Sequence, residues 1–433
     1  MKIAVLGGGT AGYIAAAHIT RYLPQAELLH VFDSRIPTIG VGEGTTPRFA
    51  TWFEEVTGLG LAHLAERCGA TLKKGSRFEG WGAHGADFLH RFQPAQLFGY
   101  HFDAASIVQV LREHVRATWI DARVESLKTS ADGVHMRLDD GRTVLCDYIF
   151  DARGFPAAEV ADSDDFIRLD WIPTGRATVR RLPPRASETV TRVVARPHGW
   201  MFVIPLRDWI SCGYVFNPRI SSDAEVMADH TAFLHEEDVF TWEQRVAPSF
   251  PNFIRRKIFD GRVFYTGNAA LFIEPLEATT IGHAVVQVRW ATRWIAEEGQ
   301  GRCAEPDEID MFNKTMVNLG FRDSLFIGWH YACGSRWDTP FWRHARGGIE
   351  RARNNPVARP HLAAMEKFIE AGRPLPGQAL STCDDQGQWE RDVLPLLRLQ
   401  RPFGNFSELN FAQVGHGIGY YHAGANGPPA LAQ

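Results

Sequence analysis

The chain opens on Lys2-Ile3-Ala4-Val5-Leu6, apolar after its first residue and too short for an amphipathic helix, a pattern that suits a buried strand. Gly7-Gly8-Gly9-Thr10-Ala11-Gly12 follows, then an Ala-rich stretch to about Tyr22 with helical spacing. A second, mostly apolar run, Leu28–Phe32, ends at Asp33, 21 residues beyond Gly12. Strand, glycine turn, helix and strand in this order predict a βαβ unit. If it holds a dinucleotide, Gly7 permits the tight turn, Gly9 lets the backbone approach the pyrophosphate and Gly12 lets helix and strand pack closely. The helix N-terminus then faces the phosphates and Asp33 accepts from the ribose. A packed α/β unit without ligand is the competing reading, and the placement of Asp33 favours the dinucleotide.

Further on, Asp103 predicts the cap of an amphipathic helix through about Val115, with Ile107, Val108, Val110 and Leu111 on its apolar face. Residues 123–151 read as three strands joined at Asp132-Gly133 and Asp140-Gly141, since Asp-Gly between alternating runs is a strong hairpin signal. The last of them carries Asp147 to Phe155, including Asp151-Ala152-Arg153-Gly154. A meander feeding a return strand that ends in Asp-x-x-Gly resembles the FAD domain of flavoprotein monooxygenases, which favours FAD over NAD. Residues 165–220 are rich in Val, Ile, Thr and aromatics with Pro breaks, and suggest a mostly β insertion. A strand at 262–266 runs into Gly267-Asn268-Ala269-Ala270, with a helix from about Ile281 to Glu297, and resembles a second FAD motif. Residues 306–372 read as helical, and the tail from 401 is rich in glycine and aromatics.

The predicted fold is α/β, a Rossmann-type FAD-binding domain with a β-meander plus a mixed β/helical substrate module. The expected FAD domain is discontinuous, 1–80, 100–165 and 255–300. The substrate-binding module takes 81–99, 166–254 and 301–433.

Composition narrows the classes without choosing among enzymes. With 433 residues, 45% hydrophobic and 22% charged, the chain is globular and long enough for two to three domains. A net charge near −4, with basic residues clustered only at Arg176, Arg180, Arg181 and Arg185, argues against nucleic acid. Six dispersed cysteines lack the spacing of a zinc site or disulfide framework, so no metal is expected. The glycine turn begins at once, leaving no room for a signal peptide. No apolar run approaches about 18 residues, so a cytoplasmic protein without membrane association is the expectation.

The stretch from Ile36 to Pro47, Ile-Pro-Thr-Ile-Gly-Val-Gly-Glu-Gly-Thr-Thr-Pro, resembles the FAD-dependent tryptophan halogenase family. Five further matches follow in the family's order: Lys73 with Arg77-Phe78 and Trp81; Tyr100 to Ala104; Gly199 to Pro205; Phe272 to Glu277; and Asp338 to Arg343. Four departures stand out. Phe202 replaces the second indole of a Trp-x-Trp-x-Ile-Pro motif. Ala278 and Thr280 replace a serine and a glycine beside the flavin. Only 18 residues separate Trp81 from Tyr100, where members acting on free tryptophan carry a longer cover. Arg153 stands where a small residue is usual.

The resemblance implies that reduced FAD and oxygen give a C4a-hydroperoxide, that a bound halide attacks it to yield hypohalous acid, and that Lys73 relays the electrophile to an aromatic ring. By spacing alone Lys73 reads as a solvated surface charge; the flanking match makes it functional. Glu277 matches the family's glutamate that takes a proton from the ring or stabilises the developing cation, and by spacing alone reads as a carboxylate at a helix start. The halide falls to Thr279 and Thr280 at a helix N-terminus. Cofactor contacts fall to Gly7, Gly9, Thr10, Ala11, Gly12, Asp33, Val41, Gly42, Glu43, Gly267, Asn268 and Ile281. His90 and Phe92 resemble the pair that packs on the substrate indole, with Phe406 and Asn410 as a further wall and polar contact.

No second nucleotide motif appears, so FADH2 is expected from a separate flavin reductase. The expected substrate is a small, electron-rich, indole-type aromatic taking bromide or chloride, and a homodimer is the candidate assembly. The short segment before Tyr100 predicts an open site that prefers indole, or an indole at the end of a larger molecule, to free tryptophan. Alternatively the tail, with Phe403, Asn410, His416 and His422, supplies the cover. Competing activities are an FAD-dependent aromatic monooxygenase, favoured by Phe202, Ala278 and Thr280, and a flavin-binding protein without turnover.

Overall fold

The computed structural model describes residues 1–36, 43–94, 96–156, 160, 163–185, 188–245, 248–373 and 402–421. The predicted contacts Val41 and Gly42, and His422 of the tail, lie outside the described residues. The chain divides into two compact units: Met1–Thr71, Tyr100–Arg168 and Phe253–Asn318, then Leu72–Gly99, Leu169–Asn252 and Leu319–Gln433.

The first unit is built on a five-stranded parallel sheet in the order Val263–Tyr265, Tyr148–Asp151, Lys2–Leu6, Glu27–Phe32, Thr118–Asp121. The central strands are apolar because both their faces are covered. One face packs on the meander, where Ala4, Leu6, Leu29, Val31 and Ile149 meet Val134, Met136, Leu138 and Cys146. Helix Thr10–Tyr22 buries eight consecutive residues from Gly12 to Ile19, between sheet and helix Thr280–Trp294.

Four predicted boundaries move. The helix after Asp103 is Ala104–Arg112, capped as expected by the Asp103 carboxylate accepting from Ser106 N at 2.9 Å. It stops short of Val115 because the next three N–H groups bond three residues back, tightening the turn. The last of the three predicted strands is two, Thr143–Cys146 in the meander and Tyr148–Asp151 in the parallel sheet. The break falls at Asp147, whose N–H donates to Lys2 O at 2.8 Å while its carboxylate accepts from Lys2 N at 2.6 Å. The helix expected from Ile281 to Glu297 is Thr280–Trp294, finished by a wider turn over Ile295–Gly299.

The fourth is the domain boundary. Residues 72–80 belong to the second unit because strand Gly75–Glu79 pairs with Thr191–Arg196 and Phe88–Arg91. Residues 301–318 belong to the first, where the Asn313 side chain accepts from Phe259 N and donates to Phe259 O, each at 2.8 Å.

The second unit holds a seven-stranded sheet in the order Glu243–Gln244, Arg176–Leu182, Ile210–Phe216, Gly199–Pro205, Thr191–Arg196, Gly75–Glu79, Phe88–Arg91. It is antiparallel except where Thr191–Arg196 meets Gly75–Glu79. Helix Asp223–Glu236, started by a Ser222/Glu225 capping box, packs Val226, Phe233 and Leu234 on one end of it. Three indoles satisfy carbonyls of strand Thr191–Arg196: Trp81 on Val193, Trp337 on Ala195 and Trp342 on Arg196. The arginine cluster of the sequence is largely consumed internally: Arg176 pairs with Asp223, Arg185 with Glu237, and Arg180 is buried over the Trp242 ring.

Candidate active site

In the first unit the three glycines do different work. Gly7 has φ +115°, and a Cβ there would lie 2.5 Å from Ala152 O; a Cβ on Gly12 would lie 2.1 Å from Gly7 O. Both requirements are internal to the protein. Around a Cβ on Gly9 nothing comes within 4 Å, so the fold itself gives no reason for glycine there. Gly9 is also the N-cap of helix Thr10–Tyr22 and offers no side-chain cap to its first N–H groups. The turn is held from behind by His30, whose Nε2 lies 2.9 Å from Gly7 O, with its ring stacked on Trp119. Burial pushes the His30 pKa down, which keeps the ring neutral.

The second motif meets the first directly. Gly267 has φ +57°, and a Cβ on it would sit 2.5 Å from the Ala11 Cβ. Thr266 N donates to Asp151 O at 2.9 Å, tying this turn to the return strand. The Gln287 Oε1 accepts from Gly267 N at 3.0 Å and Thr266 Oγ1 at 3.1 Å. Its Nε2 is buried and finds no partner among the described residues. Asn268 lies in the short turn Gly267–Ala269, and Ile281 in the first turn of helix Thr280–Trp294. An uncapped helix N-terminus, the open space at Gly9 and the buried Gln287 amide fit a dinucleotide at the carboxyl ends of these strands.

Asp33 stands at the end of the second strand, but both its oxygens are engaged by Arg35, at 2.6 Å from Nε and 2.8 Å from Nη2. These hydrogen bonds hold the carboxyl below its usual range. Arg153 is likewise clamped to Asp151, at 2.9 Å through Nε and 2.7 Å through Nη2. Glu43 opens the short strand Glu43–Gly44, paired with His101 and Phe102. Desolvation, then the like charge of Asp103, push its carboxyl up to about 7, and its Oε2 is buried without a partner among the described residues.

Pro275–Glu277 forms a single tight turn, and Ala278 follows at φ +54°, a left-handed position that costs an alanine what a glycine would escape. Glu277 is buried. Thr279 is the N-cap residue of helix Thr280–Trp294, and its Oγ1 is buried with no partner among the described residues. A hydroxyl donor beside the N–H groups of a helix start suits a small anion.

The second unit gathers the residues predicted for the aromatic substrate. Lys73, only 2% exposed, sets its Nζ 5.8 Å from the centroid of the Phe92 ring. His90, two residues earlier on the strand's edge, is buried, 6.3 Å from the ring of Phe406. Asn410 Nδ2 lies 2.9 Å from His90 Nε2. Phe406 stacks on Phe326 with centroids 3.9 Å apart. Helix Glu408–Gly417 reaches Phe88 closely enough that a Cβ on Gly417 would lie 2.2 Å from that ring. Ala83 N donates to Ile418 O at 3.0 Å, so described tail residues do pack against the short segment after Trp81.

Sequence reasoning missed four residues of these two sites. His30 and Gln287 read only as part of a strand and a helix. Phe326 and His330 lie in and just beyond helix Pro306–Trp329, with His330 Nδ1 2.9 Å from Phe326 O and its ring 6.2 Å from that of His90. Their spacing, one helical turn, is the one signal a sequence carries for that pair.

The comparisons with known proteins bear on the same elements. A family model described as tryptophan halogenase matches residues 2–97 and 93–358. Tryptophan 7-halogenase RebH of Lentzea aerocolonigenes is 24% identical over 419 residues, covering 79% of this chain and 78% of RebH. Among solved structures, BrvH, a flavin-dependent halogenase from Brevundimonas sp. BAL3, superposes with a TM-score of 0.76 at 24% identity, over 97% of this chain and 90% of BrvH. Xcc4156, a flavin-dependent halogenase from Xanthomonas campestris, gives 0.72 at 22% identity, over 96% and 94%. The fold is that of these solved flavin-dependent halogenases, and the family match makes the chain an oxidoreductase-type enzyme. The chain belongs to the tryptophan halogenase family. No helix among the described residues is long and apolar enough to cross a membrane.

Proposed function

We propose that the chain halogenates an electron-rich, indole-type aromatic, using FADH2 from a separate reductase, oxygen and bromide or chloride. The observation that carries this reading is the burial of Lys73. Lysine is almost never fully buried unless it is paired, and this one is buried with its Nζ 5.8 Å from the centroid of the Phe92 ring.

Bound reduced FAD would supply the two electrons that activate oxygen. Gly9 and the first N–H groups of helix Thr10–Tyr22 would hold its pyrophosphate, and Gln287 would keep the Gly267 turn in place. Thr279 and the N–H of Thr280 would hold the halide. A buried ammonium can donate a hydrogen bond to hypohalous acid and present it to a ring, while Phe406 and His90 would hold that ring flat. Glu277, as a carboxylate, would accept the proton that the ring loses. Arg153 stays engaged with Asp151 in this reading and takes no part in the halogen transfer.

The test is to incubate the protein with FAD, a flavin reductase, NADH and a panel of indoles, with and without bromide, and read product masses. Monobrominated product that depends on bromide is the expected result. Hydroxylated product independent of halide would overturn the reading in favour of a monooxygenase.

A further inference from the structure

We propose that Asn410 is a positioning residue that sets the tautomer of His90, placing the ring proton on Nδ1; the functional meaning rests on His90 being a wall of the substrate site. Asn410 is the third residue of helix Glu408–Gly417, and Ser407 is its N-cap. The backbone N–H of Ser407 lies 2.7 Å from one side-chain terminus of Asn410, and the Ser407 hydroxyl lies 3.0 Å from the same atom. A backbone N–H can only donate, so that terminus must be the carbonyl oxygen. The orientation of the amide is therefore dictated by the helix start, independently of anything at the other end.

The other terminus is then the NH2 group, which has donors and no acceptor. It lies 2.9 Å from His90 Nε2, which must offer its lone pair. A neutral imidazole with its lone pair on Nε2 carries its proton on Nδ1, and a doubly protonated ring would set N–H against N–H across this contact. Ser407, Asn410 and His90 thus form a chain in which a capping box on one element selects the protonation pattern of a ring on another.

The consequence concerns an aromatic substrate that gains positive charge as it is substituted. A neutral imidazole can stack on such a ring without opposing that charge, and its plane is held by Asn410 on one edge and by the tilted ring of Phe326, 5.8 Å away. Asn410 then acts through His90 rather than by touching the substrate, which revises the polar contact expected from sequence.

Histidine-selective ¹⁵N labelling of the full chain tests this directly, with the His90 signals assigned by their loss in His90→Gln. In the unsubstituted protein Nδ1 should appear protonated and Nε2 unprotonated. Asn410→Asp keeps an oxygen for Ser407 N and presents a second acceptor to Nε2, so the proton should move to Nε2. Turnover of the indole substrate should fall about tenfold, as expected for a misdirected contact group, with FAD retention unchanged. A protonated Nε2 in the unsubstituted protein overturns the assignment, and so do unchanged ring signals in Asn410→Asp. A switched ring with full turnover overturns the positioning role. Because the spectra need no turnover, a chain that shows the expected tautomer yet fails to halogenate overturns the functional reading alone.

Discussion

Replacing Glu43 by glutamine should stabilise the first unit at neutral pH and leave it unchanged in acid. The Glu43 carboxyl is desolvated, faces the like charge of Asp103 and has its pKa pushed up to about 7 from an ordinary 4.5. Below the ordinary value the group is protonated both folded and unfolded, and its titration costs nothing. As the pH rises from about 4.5, the unfolded chain loses the proton while the folded one keeps it, so the folded state is progressively disfavoured. The loss is complete once the pH passes the folded value near 7. Each pH unit between the unfolded and folded values is worth about 1.4 kcal/mol, which sets the plateau at about 3 kcal/mol, an upper figure because the protein relaxes around a buried charge. Glutamine has the shape of the protonated acid and does not titrate. For a unit of this size each kcal/mol moves Tm by about 2–4 °C. The two flavin-free proteins should therefore melt together at pH 4 and differ by about 5 °C or more at pH 8, glutamine being higher. Thermal unfolding followed from pH 4 to 8 reads this, and a constant gap across the range would refute the raised pKa.

Three further outcomes follow from the geometry. Gly9→Val should fold normally yet lose FAD affinity by about a hundredfold or more, some 3 kcal/mol, whereas Gly12→Ala should destabilise the unit by about 2 kcal/mol through its clash with Gly7 O; equal FAD affinity in a folded Gly9→Val protein would sink the cofactor assignment. Lys73→Ala should leave oxidation of bound reduced flavin by oxygen largely intact while halogenated product disappears, and a failure of flavin oxidation itself would place Lys73 elsewhere in the chemistry. Indole and 3-substituted indoles without the amino-acid end should show a higher kcat/KM than free tryptophan; the reverse order in a competition assay would mean that the tail grips the zwitterion after all.

What the sequence alone determined is the local grammar. Gly12 is demanded by the Gly7 carbonyl in the same turn, Gly7 by its own positive φ, and the Asp103 carboxylate caps a helix through Ser106 N three residues on, so short-range geometry wrote these features into the order of residues. Lys73, Glu277 and the turn at Thr279 are singled out by the resemblance to family motifs, since their local spacing alone reads as structural. The domain boundary falls elsewhere than expected because strand Gly75–Glu79 pairs with Thr191–Arg196, and no turn signal announces a partner so far along the chain. His30 behind the glycine turn, Gln287 behind the second motif and Phe326 behind Phe406 are ordinary core residues to a sequence reader. They acquire meaning only when packing brings them to a particular carbonyl or ring. The His90–Asn410 contact makes the point sharply, since its partners stand 320 residues apart. The capping box at Ser407 is local, but which nitrogen of His90 it addresses depended on two elements docking, a choice made by burial and hydrogen-bond satisfaction across the whole unit rather than by any local preference.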